Sequence, residues 1–431
     1  MEKILIRGGK PLYGTIDIDG MKNAALPIVF AALMVPDKCR IDNLPAVNDI
    51  TLSLKILENL GATVTMLGPN SVEIDATNVV PVLPSTELTR KMRASYYLLG
   101  AELARFGKAI VGYPGGCDFG VRPIDQHIKG FEALGAHVIH SEDGLIVANA
   151  PSRGLSGDSI FFDVVSVGAT LNVMMAAVCA PGLTIIENAA REPHIVDLAN
   201  FLNTCGARIS GAGTDTIKIK GVELAALHGC SYTIIPDMIE AGTYMAAVAA
   251  TGGQVKINNV IPKHLESITA KLEEMGVSVE EQDDAVIVTR TEPLQKCNIK
   301  TLPYPGFPTD MQPQFCALFC LAQGTCRLTE GVWDNRFRYT DELRRLGADI
   351  TINGKTAYVN GGAPLRGTSV RSVDLRGGAA MVIAGLAAEG ETIIDEIHLI
   401  ERGYDNLVGK LHAVGADICK IIYNDPIIKI D

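Results

Sequence analysis

The residues best suited to chemistry in this 431-residue chain are one cysteine and a set of cations. Cys117 lies in GYPGGCDFGVRPIDQHI, directly after Gly115 and Gly116 and before Asp118. A thiol on a glycine-flanked loop suits a mobile lid that carries a reactive group. A second set falls where strongly apolar helices should begin: Lys22 and Asn23, Arg93, Ser166, Glu240, Asp310 and Arg376. Buried helix starts present unpaired N–H groups and a partial positive charge, so a cation there is disfavoured unless an anion sits nearby. Three cations at equivalent starts, Lys22, Arg93 and Arg376, point to an anionic ligand shared by several helix ends. Arg191, Arg336 and Arg402 occupy loops that should lie beside those starts.

The elements that must position these residues repeat. A segment of the form apolar-Gly-small-x-apolar recurs as LGATV, LGAHV, CGARI, MGVSV, LGADI and VGADI. Its glycines, Gly61, Gly135, Gly206, Gly276, Gly347 and Gly415, are 74, 71, 70, 71 and 68 residues apart. Before each glycine runs an amphipathic pattern such as TLSLKILENL; after it come alternating runs that read as a hairpin, as in ADITINGKTAYVNG. Upstream lies a helix that is apolar around most of its circumference, for instance IEAGTYMAAVAA or LRGGAAMVIAGLA, and such helices belong in an interior. A strand such as LTIIENA joins the two helices. The predicted unit is buried helix, strand, loop, amphipathic helix and hairpin, present six times. Three units per domain, in two compact domains, is the economical α/β arrangement. Measured against the repeats, the Cys117 loop is longer than its equivalents, and the extra length falls at Gly115 to Asp118.

Composition narrows the function classes. Hydrophobic residues make up 47% and charged residues 20%, as in ordinary globular proteins. The longest apolar stretch, ALPIVFAALMVP, is too short to span a bilayer, and MEKILIRGGK lacks a signal-peptide core, so a cytoplasmic location is expected. A net charge of −11 argues against nucleic acid as the main partner. Ten cysteines without a CxxC pair read as reduced thiols, mostly core filler, rather than a disulfide framework or zinc site. His127, His194 and His398 show no ligand spacing, and neither a P-loop nor a dinucleotide fingerprint is present.

KNAALP, MRAS, GGCDFGVRPID, SVGAT, ENAAREP, IIPDMIEAGT, PGFPTDMQ, DNRF, DLRGGAA and ERGY occur in this order. Over its full length the chain resembles the UDP-N-acetylglucosamine enolpyruvyl transferase (1-carboxyvinyltransferase) family, which opens peptidoglycan synthesis in bacteria. The resemblance implies a two-domain inside-out α/β barrel with three repeats per domain. Residues 22–229 would form one domain, and residues 1–21 with 230–431 the other, with the active site in the cleft between them. Met21, Trp333 and Glu401 depart from the commonest family pattern, and Val164 replaces a Lys found in some members.

The family's reaction adds a sugar hydroxyl to phosphoenolpyruvate and then expels phosphate. A general acid must protonate the methylene carbon and later take a proton back, and a thiol of reference pKa about 8.5 carries its proton at neutral pH. The resemblance therefore gives Cys117 the role of acid, of transient nucleophile, or both, and makes it the target of alkylation by fosfomycin. It makes Asp310 the base for the 3-hydroxyl, although an aspartate at a helix start is more commonly a cap or dipole partner. Lys22, Asn23, Cys117, Arg122, Arg376 and Arg402 would bind phosphoenolpyruvate, a task suited to planar guanidiniums. Arg93, Arg122, Pro123, Ile124, Asp125, Gln126, Ser166, Val167, Gly168, Asp310 and Val332 would bind UDP-N-acetylglucosamine. Glu192, Asp237 and Arg336 are expected either in the cleft or in ion pairs. No metal, cofactor, nucleic acid or membrane enters the scheme, and a monomer is expected. The rivals are 5-enolpyruvylshikimate-3-phosphate synthase, which lacks the GGCDFG insertion, and a silent paralogue, which would lack part of the set Lys22, Cys117, Asp310 and Arg402.

Overall fold

A computed structural model describes residues 2–81, 88, 92–112, 124–141 and 144–422. It divides into two bodies, Gly20–Ile235 and Met1–Asp19 with Pro236–Asp431. Strands β1 (Glu2–Arg7) and β2 (Leu12–Asp17) open the chain. The first repeat comprises helix α1 (Lys22–Ala32), β3 (Lys38–Asp42), α2 (Asn48–Asn59) and the hairpin β4 (Thr63–Gly68) and β5 (Ser71–Asp75). In the second, a 3-10 turn at Arg93–Tyr96 leads into α3 (Tyr97–Phe106), then β6 (Lys108–Gly112), α4 (Asp125–Ala133), β7 (His137–His140) and β8 (Leu145–Asn149). The third runs β9 (Ser159–Phe161), α5 (Val167–Val178), β10 (Leu183–Glu187), α6 (Pro193–Thr204), β11 (Ile209–Ser210) and β12 (Thr216–Lys220).

Strand β13 (Ser231–Thr233) ends the first body. The fourth repeat has α7 (Met238–Thr251), β14 (Gly253–Asn258), α8 (Pro262–Glu274), β15 (Ser278–Glu281) and β16 (Ala285–Arg290). The fifth has β17 (Asn298–Lys300), α9 (Gln312–Leu321), β18 (Gly324–Thr329), α10 (Thr340–Arg345), β19 (Asp349–Asn353) and β20 (Thr356–Gly361). The sixth has β21 (Ser369–Arg371), α11 (Leu375–Ala387), β22 (Glu391–Asp395), α12 (Leu407–Ala413) and β23 (Asp417–Ile422).

Hydrophobic patterning decides which helices go inside. In α7 every residue from Met238 to Ala250 is buried, whereas α8 buries only Leu265, Ile268, Thr269 and Leu272, one face of the helix. Close approach of two interior helices is visible at Gly100 of α3. A Cβ there would lie 2.3 Å from the Asn172 carbonyl oxygen of α5, and the Gly100 N–H instead donates to Asn172 Oδ1 at 2.9 Å.

The repeat glycine has a local cause. All six carry positive φ, between 87° and 103°, a region that favours glycine. In each, the N–H of the next residue reaches back to a helix carbonyl: Ala62 to Leu57, Ala136 to Phe131, Ala207 to Leu202, Val277 to Leu272, Ala348 to Leu343 and Ala416 to Leu411, at 2.9–3.1 Å. These are Schellman helix ends, which satisfy carbonyls that the helix leaves open.

Two departures from simple repetition come from the chain path. Strand β2 precedes α1 in sequence but pairs in parallel with β14 of the second body, while β13 precedes α7 but pairs with β3 of the first. Each passage of the chain between bodies thus leaves its strand in the body being left. In the sixth repeat β23 pairs with β1, from the other end of the chain, and β1 also pairs with β22, so among the described residues β1 takes the place that the second hairpin strand holds elsewhere.

Candidate functional site

In the second body, Asp310 sits in a 3-10 turn, Thr309–Met311, that leads into α9. It does not cap the helix. Arg376 enters from the start of α11 and donates through Nε and Nη2 to Asp310 Oδ2 at 3.2 and 3.1 Å. Arg336 donates through Nη2 to Asp310 Oδ1 at 3.3 Å. The two arginine side chains are 4% and 3% exposed and the aspartate 30%, so buried guanidiniums hold a carboxylate that faces outward. Asp374 caps α11 by accepting from the Arg376 and Gly377 N–H groups at 2.9 and 2.8 Å, which offsets a cation at a helix start. Burial works against the Arg376 charge, but the fields of Tyr404, Asp310 and Asp237 overcome it and raise its pKa. The guanidinium carbon lies 5.3 Å from the Tyr404 ring centre. Arg376 Nη1 is buried without a hydrogen-bond partner among the described residues.

Val332 is tied to the same place through Glu330. The buried Glu330 accepts from the Val332 and Trp333 N–H groups at 2.8 and 3.0 Å and from the hydroxyls of Thr301 and Thr309 at 2.7 and 3.0 Å. One carboxylate thereby fixes both the Val332 loop and the turn that carries Asp310. Arg402 is half-buried in the turn between Leu399 and Tyr404. Asp237 is the N-cap of α7, accepting from Ile239 and Glu240 N–H groups.

In the first body, Lys22 opens α1 and is nearly buried; its Nζ lies 3.3 Å from Asp49 Oδ2. Asn23 beside it is half-buried. Ser166 caps α5 by accepting from the Ala169 N–H at 3.3 Å, and Val167 and Gly168 form the first turn. At Gly168 the turn passes close to His127: a Cβ would stand 2.9 Å from its Nε2, so the ring would have to shift. Gln126 joins this turn to α4: its amide donates to Asp163 Oδ2 at 3.2 Å and to Asp125 Oδ2 at 2.8 Å, and its oxygen accepts from the Asp163 N–H at 2.9 Å. Asp125, Gln126, Ser166, Val167 and Gly168 therefore form one rim, with exposed Val164 beside it and buried Ile124 behind. Glu192 immediately precedes α6. Cys117, Arg122, Pro123 and the side chain of Arg93 lie outside the described residues.

Two of the three cations expected to await an anionic ligand already face protein carboxylates, Asp49 and Asp310. Sequence reasoning missed Asp49, Glu330 and Tyr404. For Asp49 the signal was an acid in the first turn of α2. For Glu330 it was position: repeats one, three and four carry Asn43, Asn188 and Asn259 just past the equivalent strand, and each of these donates to the carbonyl that follows a leading strand, at 2.6–2.9 Å.

The family profile described as EPSP synthase (3-phosphoshikimate 1-carboxyvinyltransferase) matches residues 6–411. UDP-N-acetylglucosamine 1-carboxyvinyltransferase 3 of Caldanaerobacter subterraneus subsp. tengcongensis is 56% identical over 98% of this chain and 100% of its own length. UDP-N-acetylglucosamine 1-carboxyvinyltransferase of Clostridium botulinum is 53% identical over 98% of this chain and 100% of its own. Among solved structures, the enolpyruvyl transferase NikO from Streptomyces tendae superposes with a TM-score of 0.88 at 26% identity, covering 97% of this chain and 98% of that one. An EPSP synthase from Acinetobacter baumannii shares the fold, with a TM-score of 0.76 at 18% identity over 98% and 100% of the two chains. Among the described residues no helix is long and apolar enough to cross a membrane.

Proposed function

We propose that this chain, which belongs to the EPSP synthase family of enolpyruvyl transferases and within it to the UDP-N-acetylglucosamine 1-carboxyvinyltransferases, transfers the enolpyruvyl group of phosphoenolpyruvate to the 3-hydroxyl of UDP-N-acetylglucosamine with release of phosphate. One observation carries this reading: relatives bearing that name are 50–56% identical over 97–98% of the chain, whereas the EPSP synthase likeness is one of fold at 18% identity. The reaction would open peptidoglycan synthesis.

The second body supplies a fitting base. Two guanidiniums hold the Asp310 carboxylate in place, and its partial exposure leaves it accessible to a hydroxyl. In the proposed sequence Asp310 takes the proton of the sugar 3-hydroxyl, whose oxygen bonds to the middle carbon of phosphoenolpyruvate. Cys117 gives a proton to the methylene carbon, forming a methyl group. The carbon–oxygen bond to phosphate then breaks as the methyl group returns a proton to the Cys117 thiolate, which restores the double bond, and the proton on Asp310 passes to the departing phosphate or to solvent. Arg376, with its buried Nη1 donor, joins Lys22, Asn23, Arg122 and Arg402 in holding phosphate and carboxylate. The rim of Asp125, Gln126, Ser166, Val167 and Gly168, with Arg93, Arg122, Pro123, Ile124 and Val332, holds the nucleotide sugar.

A phosphate-release assay with phosphoenolpyruvate tests the reading. UDP-N-acetylglucosamine should support turnover and shikimate 3-phosphate should not; the reverse preference would overturn the assignment. In the same assay Cys117→Ser should lose at least about 100-fold in kcat, the usual worth of a general acid, and full activity would remove Cys117 from the mechanism.

A further inference from the structure

The wide spacing of the cysteines conceals one convergence. Cys39 is the second residue of β3, Cys205 is the C-cap of α6, and Cys230 immediately precedes β13. Because β13 and β3 run in parallel with Ser231 opposite Arg40, Cys230 falls opposite Cys39. The backbone around Cys230 is fixed residue by residue. His228 N–H donates to the Cys205 carbonyl at 3.0 Å, and Gly229 N–H donates to Asp37 Oδ2 at 2.8 Å. The Cys230 carbonyl accepts from Arg40 N–H at 2.8 Å. At 229 a Cβ would stand 2.0 Å from the Lys38 carbonyl oxygen, so only glycine fits.

This frame brings three sulfurs within 4.8 Å of one another, with Cys205 and Cys230 3.4 Å apart. A metal–sulfur bond of about 2.3 Å places the sulfurs of a zinc thiolate about 4 Å apart, inside that span. Thiols this close cannot all ionise without a cation among them. A cation among them lets the thiols give up their protons.

We propose that Cys39, Cys205 and Cys230 form a three-thiolate site for a thiophilic closed-shell cation, zinc or monovalent copper. Soft thiolates select these ions. Binding exchanges each S–H bond for a sulfur–metal bond and releases the proton, with no change of oxidation state. The bound ion would tie the first strand of the first repeat to the end of the third repeat's helix and to the strand on which the chain leaves the body.

The test uses the full chain with Cys117→Ala, which removes the loop thiol, in a phosphine reductant. Zinc, cadmium as its spectroscopic substitute, and monovalent copper are each titrated and bound metal is measured by mass spectrometry after dialysis. One ion per chain is expected with at least one of zinc and copper, with cadmium–thiolate charge-transfer absorbance and a raised thermal midpoint. Cys230→Ser, at a half-buried position that leaves the core intact, should weaken binding at least 100-fold while circular dichroism stays unchanged; exposed Cys419→Ser should leave binding unaltered. Absence of stoichiometric uptake, or uptake that survives Cys230→Ser, would overturn the site. So would a Cys205–Cys230 disulfide found in place of metal when the reductant is omitted.

Discussion

The starts of α7 and α11 occupy the same place in the repeat and are built from similar parts, yet they do different work. Each is capped by an aspartate, Asp237 or Asp374, that accepts from two backbone N–H groups. Each then has a charged residue facing an opposite charge. At α7 the circuit closes: Glu240 accepts from Lys410 Nζ at 2.6 Å and from the Asp19 N–H at 3.0 Å, and Lys410 also reaches Asp19. At α11 the circuit opens outward, because Arg376 and Arg336 both end on a carboxylate that is part exposed. A closed pair has no capacity left for a ligand and serves the fold. An open one keeps a charged group accessible, at the cost of holding a cation where the helix dipole disfavours it, about 0.3–1 kcal/mol.

Breaking the open pair should have the largest effect. Asp310→Asn keeps the shape and removes the base, so kcat for phosphate release should fall by about 10²–10⁴. The thermal midpoint should fall as well, because one amide oxygen must serve two buried guanidiniums, so kcat is read on the folded fraction. Retained turnover would show that the exposed carboxylate is not the base and would erase the distinction between the two helix starts. Breaking the closed pair should act on stability instead. Lys410→Met leaves Glu240 buried without its cation, a change worth about 3 kcal/mol in chemical denaturation, while kcat of the folded fraction stays within a few-fold. An activity loss matching that of Asp310→Asn would place the α7 pair in the site.

How much of this was legible beforehand follows from the range of each interaction. The repeat was readable because its marker is local: a Schellman end needs a glycine followed by a small apolar residue, whatever the rest of the chain does. The burial of α7 and the one-sided face of α8 were readable for the same reason, since periodicity lies within the helix. The pairing of β2 with β14 and of β13 with β3 was not, because it depends on where the chain passes between bodies. Nor was the completion of the sixth sheet by β1, which joins positions over 400 residues apart. At the site, the types and helix-start positions of Asp310 and Arg376 were readable. Arg336 was readable as a loop cation expected in the cleft or in an ion pair, but the direct pairing of all three required the loops of two repeats to be laid side by side.

A pH series separates burial from pairing. Burial pushes Glu240 up to about 7 even though Lys410 opposes the shift. Glu102, buried in α3, is pushed up by burial to about 8, with the Ile110 N–H at 3.2 Å as the opposing influence. Below pH 4.5, its ordinary value, both folded and unfolded chains hold the Glu102 proton. Between 4.5 and about 8 the folded chain keeps a proton that the unfolded chain has released. The unfolded state then binds fewer protons, so this group's contribution to stability is full below 4.5 and is lost as pH rises through about 8, at up to about 1.4 kcal/mol per pH unit. Glu102→Gln keeps an acceptor for Ile110 and cannot ionise. Its thermal midpoint relative to the unsubstituted chain should therefore climb steadily from about pH 5 to about pH 8. Parallel curves over that range would mean that Glu102 titrates as it does in the unfolded chain, and that a cation is not what distinguishes the two buried acids.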